Sequence, residues 1–182
     1  GEQLAPGAKS LLHRRHELAA PLVQPLTEGG LVAPDHFAQL FSTHGTIMIF
    51  FVAMPLLIGL INFVLPQQLG ARDMAFPVLN LVSLGLTAAG AALVMISLLI
   101  GDFGTGGWTM YPPYTGKIFS PGEGVNYWLW AILISGMGST LTGMNFAVTI
   151  FKCRAPGMHL MRMPLFCWTS LCVAIMLIYA MP

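Results

Sequence analysis

Two ionisable residues flank a long apolar stretch in the first half of this sequence. His44 precedes the stretch, Asp73 follows it, and between them only Arg72 is charged. An imidazole inside an apolar helix is costly unless something uses it, so it is a functional candidate by default. His44 is therefore either a metal ligand, such as an axial ligand of haem iron beside the small Gly45, or a histidine hydrogen-bonded to a neighbouring helix.

The carboxylate of Asp73 also has two interpretations. Beside Arg72 it is either half of an ion pair at the lipid headgroups or a group that collects protons at the membrane face. Uncharged polar residues within the apolar segments favour the second interpretation, since such side chains can hold a file of water. These residues are Asn62, Asn80, Ser139, Thr142 and Asn145. Each asparagine taken alone could equally serve as a hydrogen-bonding contact between helices.

A further polar pair precedes His44. His36 and Gln39 are three residues apart, so they share one face of a helix. Both side chains can hydrogen-bond a quinone carbonyl or a quinol hydroxyl. The alternative is an ordinary polar pair at the membrane interface.

The composition that surrounds these residues is that of a multi-pass membrane protein. Of 182 residues, 55% are hydrophobic and 8% are charged, and the mean hydropathy is +0.74. A soluble domain carries about 25% charged residues, because its surface must interact with water. The net charge of +1, without a basic run, excludes the pattern of a nucleic-acid-binding protein.

Four apolar runs predict an all-α membrane protein with four transmembrane helices. The runs lie at about residues 41–66, 77–100, 127–151 and 163–180. At about 1.5 Å rise per residue, the first run exceeds a hydrocarbon core about 30 Å thick. Pro55, in the middle of that run, predicts a kink. Residues 1–35 are expected to form a separate polar segment without the apolar core of a signal peptide.

Positive charges predict how these helices are oriented. The linkers at residues 67–76 and 152–162 lie on the same side of the membrane and carry one carboxylate, Asp73. Their positive charges are Arg72, Lys152, Arg154 and Arg162. Because lysine and arginine accumulate in cytoplasmic loops, both linkers are expected to be cytoplasmic. Residues 1–35 and His44 then lie toward the outer side, and Asp73 lies at the inner face.

Several segments together carry a specific family resemblance. They are THGTIMIFFVAMPLLIGLINFVLPQQLGARDMAFPVLN at 43–80, YPP at 111–113, SPGEGVNYW at 120–128, LTGMNF at 141–146 and RAPGM at 154–158. In order and spacing they resemble subunit I of the haem–copper terminal oxidases. The resemblance covers about residues 34–182 and corresponds to the second to fifth transmembrane helices of that family. PDHFAQLF at 34–41 looks closer to the bo-type ubiquinol oxidases than to the cytochrome c oxidases.

The resemblance implies a role for each of the polar residues above. His44 matches the axial ligand of the low-spin haem, expected to be of b type. Asp73 matches the residue at the entrance of the D proton channel. Asn62, Asn80 and Asn145 match the asparagines near that entrance. His36 and Gln39 match positions implicated in quinol binding in the bo-type branch. One position departs from the family, because Asn80 is followed by leucine where a second asparagine is common.

The chain is accordingly expected to be part of a proton-pumping ubiquinol oxidase of a bacterial inner membrane. The family's ligands for the high-spin haem and copper B have no counterpart in these 182 residues, so the chain is not expected to be active alone. The expected partners are the remaining subunit I helices, or a chain that supplies them, together with oxidase subunits II and III, ubiquinol and lipid. Two alternatives are a piece of a cytochrome c oxidase and a truncated four-helix protein without haem.

Overall fold

A computed structural model describes residues 33–100 and 103–180 of the chain. All regular secondary structure in this part of the chain is helical, which confirms the predicted fold class. Its main helices are α1 (Pro34–Leu69), α2 (Pro77–Ile100), α3 (Gly124–Lys152) and α4 (Leu165–Ala180). The polar segment predicted for residues 1–35 lies outside the described residues except for its last three.

Helix α1 is continuous over 36 residues but changes its winding on the way. An α-helical part, Pro34–Thr46, passes into a π-helical part, Ile47–Ala53, and then into a second α-helical part, Met54–Leu69. Pro55 accounts for the wider turns, because proline lacks an N–H and its ring would collide with the carbonyl four residues earlier. The disturbance predicted at Pro55 therefore takes the form of a π-helical segment.

The helix boundaries differ from the apolar runs that predicted them. Helix α1 begins at Pro34 rather than near residue 41, since a proline at the first helical position loses no hydrogen bond there. Helix α3 begins at Gly124, within polar sequence, rather than near residue 127. Helix α4 begins at Leu165, after a proline, rather than at residue 163. Helix α1 ends at Leu69 and is followed by Gly70, whose φ of +69° is the left-handed conformation that glycine adopts without strain.

The helices have the lengths and surfaces of membrane spans. Within the described residues, α1, α2 and α3 are each long and apolar enough to cross a bilayer. Helix α4, with 16 residues, reaches about 24 Å and is the shortest of the four. Large apolar side chains are exposed on the outward faces, as contact with lipid requires; Leu99, for example, is 85% exposed. The membrane-protein class is thereby confirmed.

Helix α3 is the centre of the described structure and packs against α2 on one side and α4 on the other. Glycines allow this close approach. A Cβ atom at Gly90 or Gly138 would lie within 2.7 Å of a backbone oxygen across the α2–α3 contact, and one at Gly143 would lie 3.0 Å from Ala174 O of α4. Small residues thus set the distances between α3 and both neighbours.

Two buried apolar clusters fix the connecting segments at the two ends of the helices. The cluster near the α1–α2 linker contains Leu65, Leu69, Met74, Phe146, Ile150, Met163, Cys167, Leu171 and Ala174. The cluster near the long loop between α2 and α3 contains Val94, Phe103, Met110 and Ala131. The linker that carries Asp73 and the loop near His44 are therefore both packed against the helices.

Candidate functional site

An elongated cavity of ≈ 470 Å³ lies between α1, α2 and α3. Asp73 lines it from the linker that precedes α2. The lining residues farthest from Asp73 along the helices are Phe50 of α1 and Thr87 of α2. Most of its polar lining comes from residues singled out in the sequence or from their helical neighbours, namely Asn62, Asn80, Ser83, Ser135, Ser139 and Thr142. The fold thus brings the predicted polar residues of three helices to one space.

Asn62 is the polar residue of this cavity whose hydrogen bonding is incomplete. Its Oδ1 atom is buried and has no hydrogen-bond partner within the described part of the chain. A buried amide oxygen without a partner costs about 1–3 kcal/mol, so such atoms normally bind ordered water. Asn62 lines a space large enough for several water molecules. The cavity is therefore suited to hold a file of water.

Hydrogen bonds within the wall join α2 to α3 beside the cavity. Thr142 Oγ1 donates to Ser83 Oγ at 2.9 Å, and Ser83 Oγ donates to the backbone oxygen of Asn80 at 2.8 Å. Ser83, Thr87 and Ser135 were not singled out as site residues. Their spacing was a usable signal, since positions 80, 83 and 87, like positions 135, 139 and 142, follow one face of a helix.

Asp73 is exposed at its end of the cavity. Its Oδ1 atom accepts a hydrogen bond from the backbone N–H of Met74 at 2.7 Å. The Met74 side chain is buried in the adjacent apolar cluster. The carboxylate is thus accessible to solvent, while the backbone beside it is held by the core.

Asn145 lies apart from the cavity lining, although the sequence grouped it with Asn62 and Asn80. It is fully buried and its amide pairs with the backbone of Phe76. The N–H of Phe76 donates to Asn145 Oδ1 at 3.0 Å, and Asn145 Nδ2 donates to Phe76 O at 3.2 Å. Its role in a proton channel stays a prediction, and the contact that it makes here is to the linker.

His44 lies at the other end of α1 from Asp73. About 25 residues of helix separate it from the end of α1, which corresponds to about 38 Å. Its side chain is exposed in the described chain, whereas its neighbours Thr43 and Thr46 are buried. Among residues 33–100 and 103–180, the imidazole is therefore left uncovered by packing, as a predicted ligand-binding group would need to be.

The loop between α2 and α3 and the start of α3 both pack against α1 next to His44. The N–H of Gly107 donates to Ser42 Oγ at 2.9 Å, and Trp128 Nε1 donates to Thr46 Oγ1 at 3.2 Å. A Cβ atom at Gly45 would lie 3.1 Å from the Trp108 side chain. Gly45 therefore permits close contact with this tryptophan, which the sequence alone did not indicate.

The donor set near His44 fits one axial position of a haem. A single exposed imidazole supplies one nitrogen ligand, and a low-spin haem needs a second ligand on its opposite face. Within residues 33–100 and 103–180, no group of three or more His, Cys, Asp or Glu residues is placed to hold a metal ion. The described residues thus present one imidazole at this position, and its role as a haem ligand stays a prediction.

His36 and Gln39 are placed differently from one another. Gln39 is half-buried and lines a second cavity, of ≈ 380 Å³, between the start of α1 and the loop. His36 is exposed and is absent from that lining. Asp35, which precedes Gln39 by four residues on the same helix, lines the cavity as well. Asp35 was missed in the sequence, although its spacing from Gln39 was a signal for a shared face.

Comparison with known proteins identifies relatives along most of the chain. The family model described as "Cytochrome C and Quinol oxidase polypeptide I" matches residues 10–182. The chain is 55% identical to the cytochrome bo(3) ubiquinol oxidase subunit 1 of Buchnera aphidicola over 153 residues, which cover 84% of this chain and 23% of that protein. It is 54% identical to ubiquinol oxidase subunit 1 of Acetobacter aceti, also over 84% of this chain and 23% of that protein.

A third relative has a different name. The chain is 52% identical to the probable cytochrome c oxidase subunit 1 of Bradyrhizobium diazoefficiens, again over 84% of this chain and 23% of the relative. The chain thus spans about a quarter of the length of the curated relatives that it matches. The resemblance noted in the sequence is confirmed, and the chain belongs to the cytochrome c and quinol oxidase polypeptide I family.

Proposed function

We propose that this chain is part of a proton-translocating terminal oxidase that oxidises ubiquinol and reduces oxygen to water. Family membership supports an oxidoreductase that works as part of a membrane complex, and two of the relatives above are named as ubiquinol oxidase subunits. The remaining subunit I helices and oxidase subunits II and III would complete the complex. The ligands of the high-spin haem and of copper B would lie in those parts.

The cavity between α1, α2 and α3 carries the proposal for proton uptake. Asp73 would take protons from water at the inner face and transfer them into a file of water held by the polar lining. The observation that supports this most directly is the buried, unpartnered Oδ1 of Asn62 in the wall of that cavity. Ser83 and Thr142 carry hydroxyl groups that can donate to or accept from such water as they rotate.

His44 would bind the low-spin haem at the outer end of α1. Its neutral imidazole would donate a nitrogen lone pair to the iron, with a b-type haem as the expected group. When bound, the haem supplies a one-electron carrier between the quinol and the oxygen-reducing centre. The contacts of Ser42 with the loop and of Thr46 with α3 would hold this turn of α1 in place, so that the imidazole keeps its direction.

The quinol is proposed to bind near His36 and Gln39. Their imidazole and amide groups can hydrogen-bond quinol oxygens, and Gln39 already lines a cavity at this end of α1. The second candidate function is cytochrome c oxidation, which the relative from Bradyrhizobium diazoefficiens favours. Quinol turnover by an assembled His36→Ala oxidase distinguishes the two: a loss supports the quinol site, and unchanged turnover favours cytochrome c as the donor.

The proposed location is a bacterial inner membrane, since the relatives above are bacterial proteins. The linkers at 67–76 and 152–162 would face the cytoplasm, which puts Asp73 on the side where protons are taken up. A haem α-band in the purified complex would support this assignment as a whole. A complex without that band would instead favour the four-helix protein without haem.

The decisive experiment replaces Asp73 by asparagine in the complete oxidase complex. The Asp73→Asn complex is expected to lose about tenfold or more of its turnover, because the amide cannot carry a proton at neutral pH. Glu123→Gln is the matched control, since it removes a carboxylate at the opposite end of the helices and should keep normal turnover. Proton uptake during turnover, measured in vesicles, checks both. Normal uptake by Asp73→Asn would overturn the proposal.

A further inference from the structure

The short linker before α2 is held to α3 by side chains that lie outside the cavity. We infer that Thr149 and Asn145 are positioning residues, which fix the backbone of residues 75 and 76 and thereby aim the carboxylate of Asp73 at the mouth of the cavity. The inference rests on the proposed function of Asp73. It assigns Thr149 a role in proton uptake and gives Asn145 a different role from that of a residue in the water file.

Asn145 satisfies both polar groups of one residue of the linker. Its Oδ1 accepts from Phe76 N at 3.0 Å, and its Nδ2 donates to Phe76 O at 3.2 Å. Two antiparallel hydrogen bonds fix both the distance and the rotation of a backbone segment, whereas a single bond leaves it free to turn. Because Asn145 is fully buried, water does not compete for these bonds.

Thr149 adds a third bond one helical turn further along α3. Its hydroxyl donates to Asn145 O at 2.6 Å and accepts from the N–H of Ala75 at 3.0 Å. A hydroxyl has one hydrogen and two lone pairs, so donation to its own helix leaves a lone pair for the linker. Thr149 is fully buried as well, and its orientation is therefore set by the helix.

The same stretch of backbone holds the carboxylate. Asp73 Oδ1 accepts from Met74 N at 2.7 Å, so three successive N–H groups, of Met74, Ala75 and Phe76, are engaged by Asp73, Thr149 and Asn145 in turn. The side chain of Met74 is buried among apolar residues of α1, α3 and α4. A linker fixed at each successive residue leaves the carboxylate little freedom to move from the cavity.

The fixed linker also sets the start of α2. The carbonyl of Phe76, which accepts from Asn145, also accepts from the N–H of Asn80 at 3.1 Å. Asn80 lines the cavity. The clamp formed by Thr149 and Asn145 therefore positions two polar lining residues, Asp73 and Asn80, from outside the water-filled space.

The test compares Thr149→Val, which removes the hydroxyl at nearly constant shape, with Thr149→Ser, which retains it. In the complete oxidase complex, Thr149→Val is expected to lower kcat about three- to tenfold, the effect of losing one buried hydrogen bond, and to leave KM for ubiquinol unchanged. Thr149→Ser should restore kcat. Hydrogen exchange of the peptide that contains residues 75 and 76 should be faster in Thr149→Val than in Thr149→Ser.

A double substitution separates positioning from a general structural effect. If Thr149 acts through Asp73, adding Thr149→Val to Asp73→Asn should reduce turnover no further. An equal reduction in both backgrounds, normal kcat in Thr149→Val, failure of Thr149→Ser to restore it, or loss of haem from the Thr149→Val complex would each overturn the inference. Normal proton uptake by Asp73→Asn alone would instead overturn the proposed function.

Discussion

The contact between α2 and α3 predicts that Gly138→Ala destabilises the complex. An added Cβ atom would lie 2.7 Å from the backbone oxygen of Ser83, 3.1 Å from Thr87 Oγ1 and 3.3 Å from Leu86 Cβ. Ordinary contact begins at 3.4 Å, so the helices would have to separate locally by about 0.7 Å. A backbone oxygen within a helix cannot turn aside alone, and the whole contact has to shift.

The size of the effect follows from two opposing contributions. Alanine is favoured over glycine inside a helix by about 0.5–1 kcal/mol. Overpacking of a well-packed contact costs about 1–3 kcal/mol, so Gly138→Ala should be destabilising by about 1 kcal/mol at the middle of the two ranges and by about 2.5 kcal/mol at most. Gly85→Ala is the matched control on α2, because a Cβ atom there would meet nothing within 4 Å. It should keep or slightly increase stability.

Thermal denaturation of the detergent-solubilised complex, followed by circular dichroism, measures both variants. The Gly138→Ala complex should unfold at a lower temperature than the parent, and the Gly85→Ala complex should not. Separation of the helices would also weaken the hydrogen bond between Thr142 and Ser83, which is 2.9 Å long. If Gly138→Ala and Gly85→Ala have the same midpoint, the close approach of α2 and α3 described above is incorrect.

Two further substitutions test the two ends of α1. Thr46→Val removes the acceptor of Nε1 of Trp128, a half-buried residue, and should cost about 0.5–1.5 kcal/mol, the contribution of one hydrogen bond. Thr140→Val, which removes only a bond within its own helix, should cost less, and equal losses in a denaturation assay would contradict this. Gly70→Ala places a Cβ atom on a residue with φ of +69° and should cost about 1–2 kcal/mol. Gly59→Ala, with nothing within 4 Å, should show no such loss of stability.

The parts of the fold that depend on local pattern could be predicted from the sequence. The apolar run at 77–100 matched α2 because continuous apolar sequence is what a bilayer-crossing helix requires. Asn62 and Asn80 were singled out because polar side chains are costly within apolar segments, and Asp73 because it is a carboxylate directly after one; all three line one cavity. Such residues are visible in a sequence whatever the packing around them.

Other features depend on contacts between distant residues and could not be predicted. Asn145 follows the same polar pattern as Asn62, but its amide binds the backbone of Phe76, 69 residues away. No local pattern indicates which polar residue faces a cavity and which faces a linker. The early start of α1 was missed because its first two turns are mostly polar or mixed in character. The apolar run therefore begins later than the helix does. The packing of Trp108 on Gly45 likewise follows from where the loop crosses α1.

The π-helical segment Ile47–Ala53 sets the rotation of one end of α1 about the helix axis relative to the other end. A π turn contains about one residue more than an α turn, and each residue of an α-helix advances the side-chain direction by about 100°. Without the wider turns, the side chains before residue 47 would be rotated about the helix axis, by up to about 100° for each extra residue, relative to the side chains after residue 53. The direction in which His44 points around the helix axis is thus set separately from the inward direction of Asn62, although both residues belong to one continuous helix.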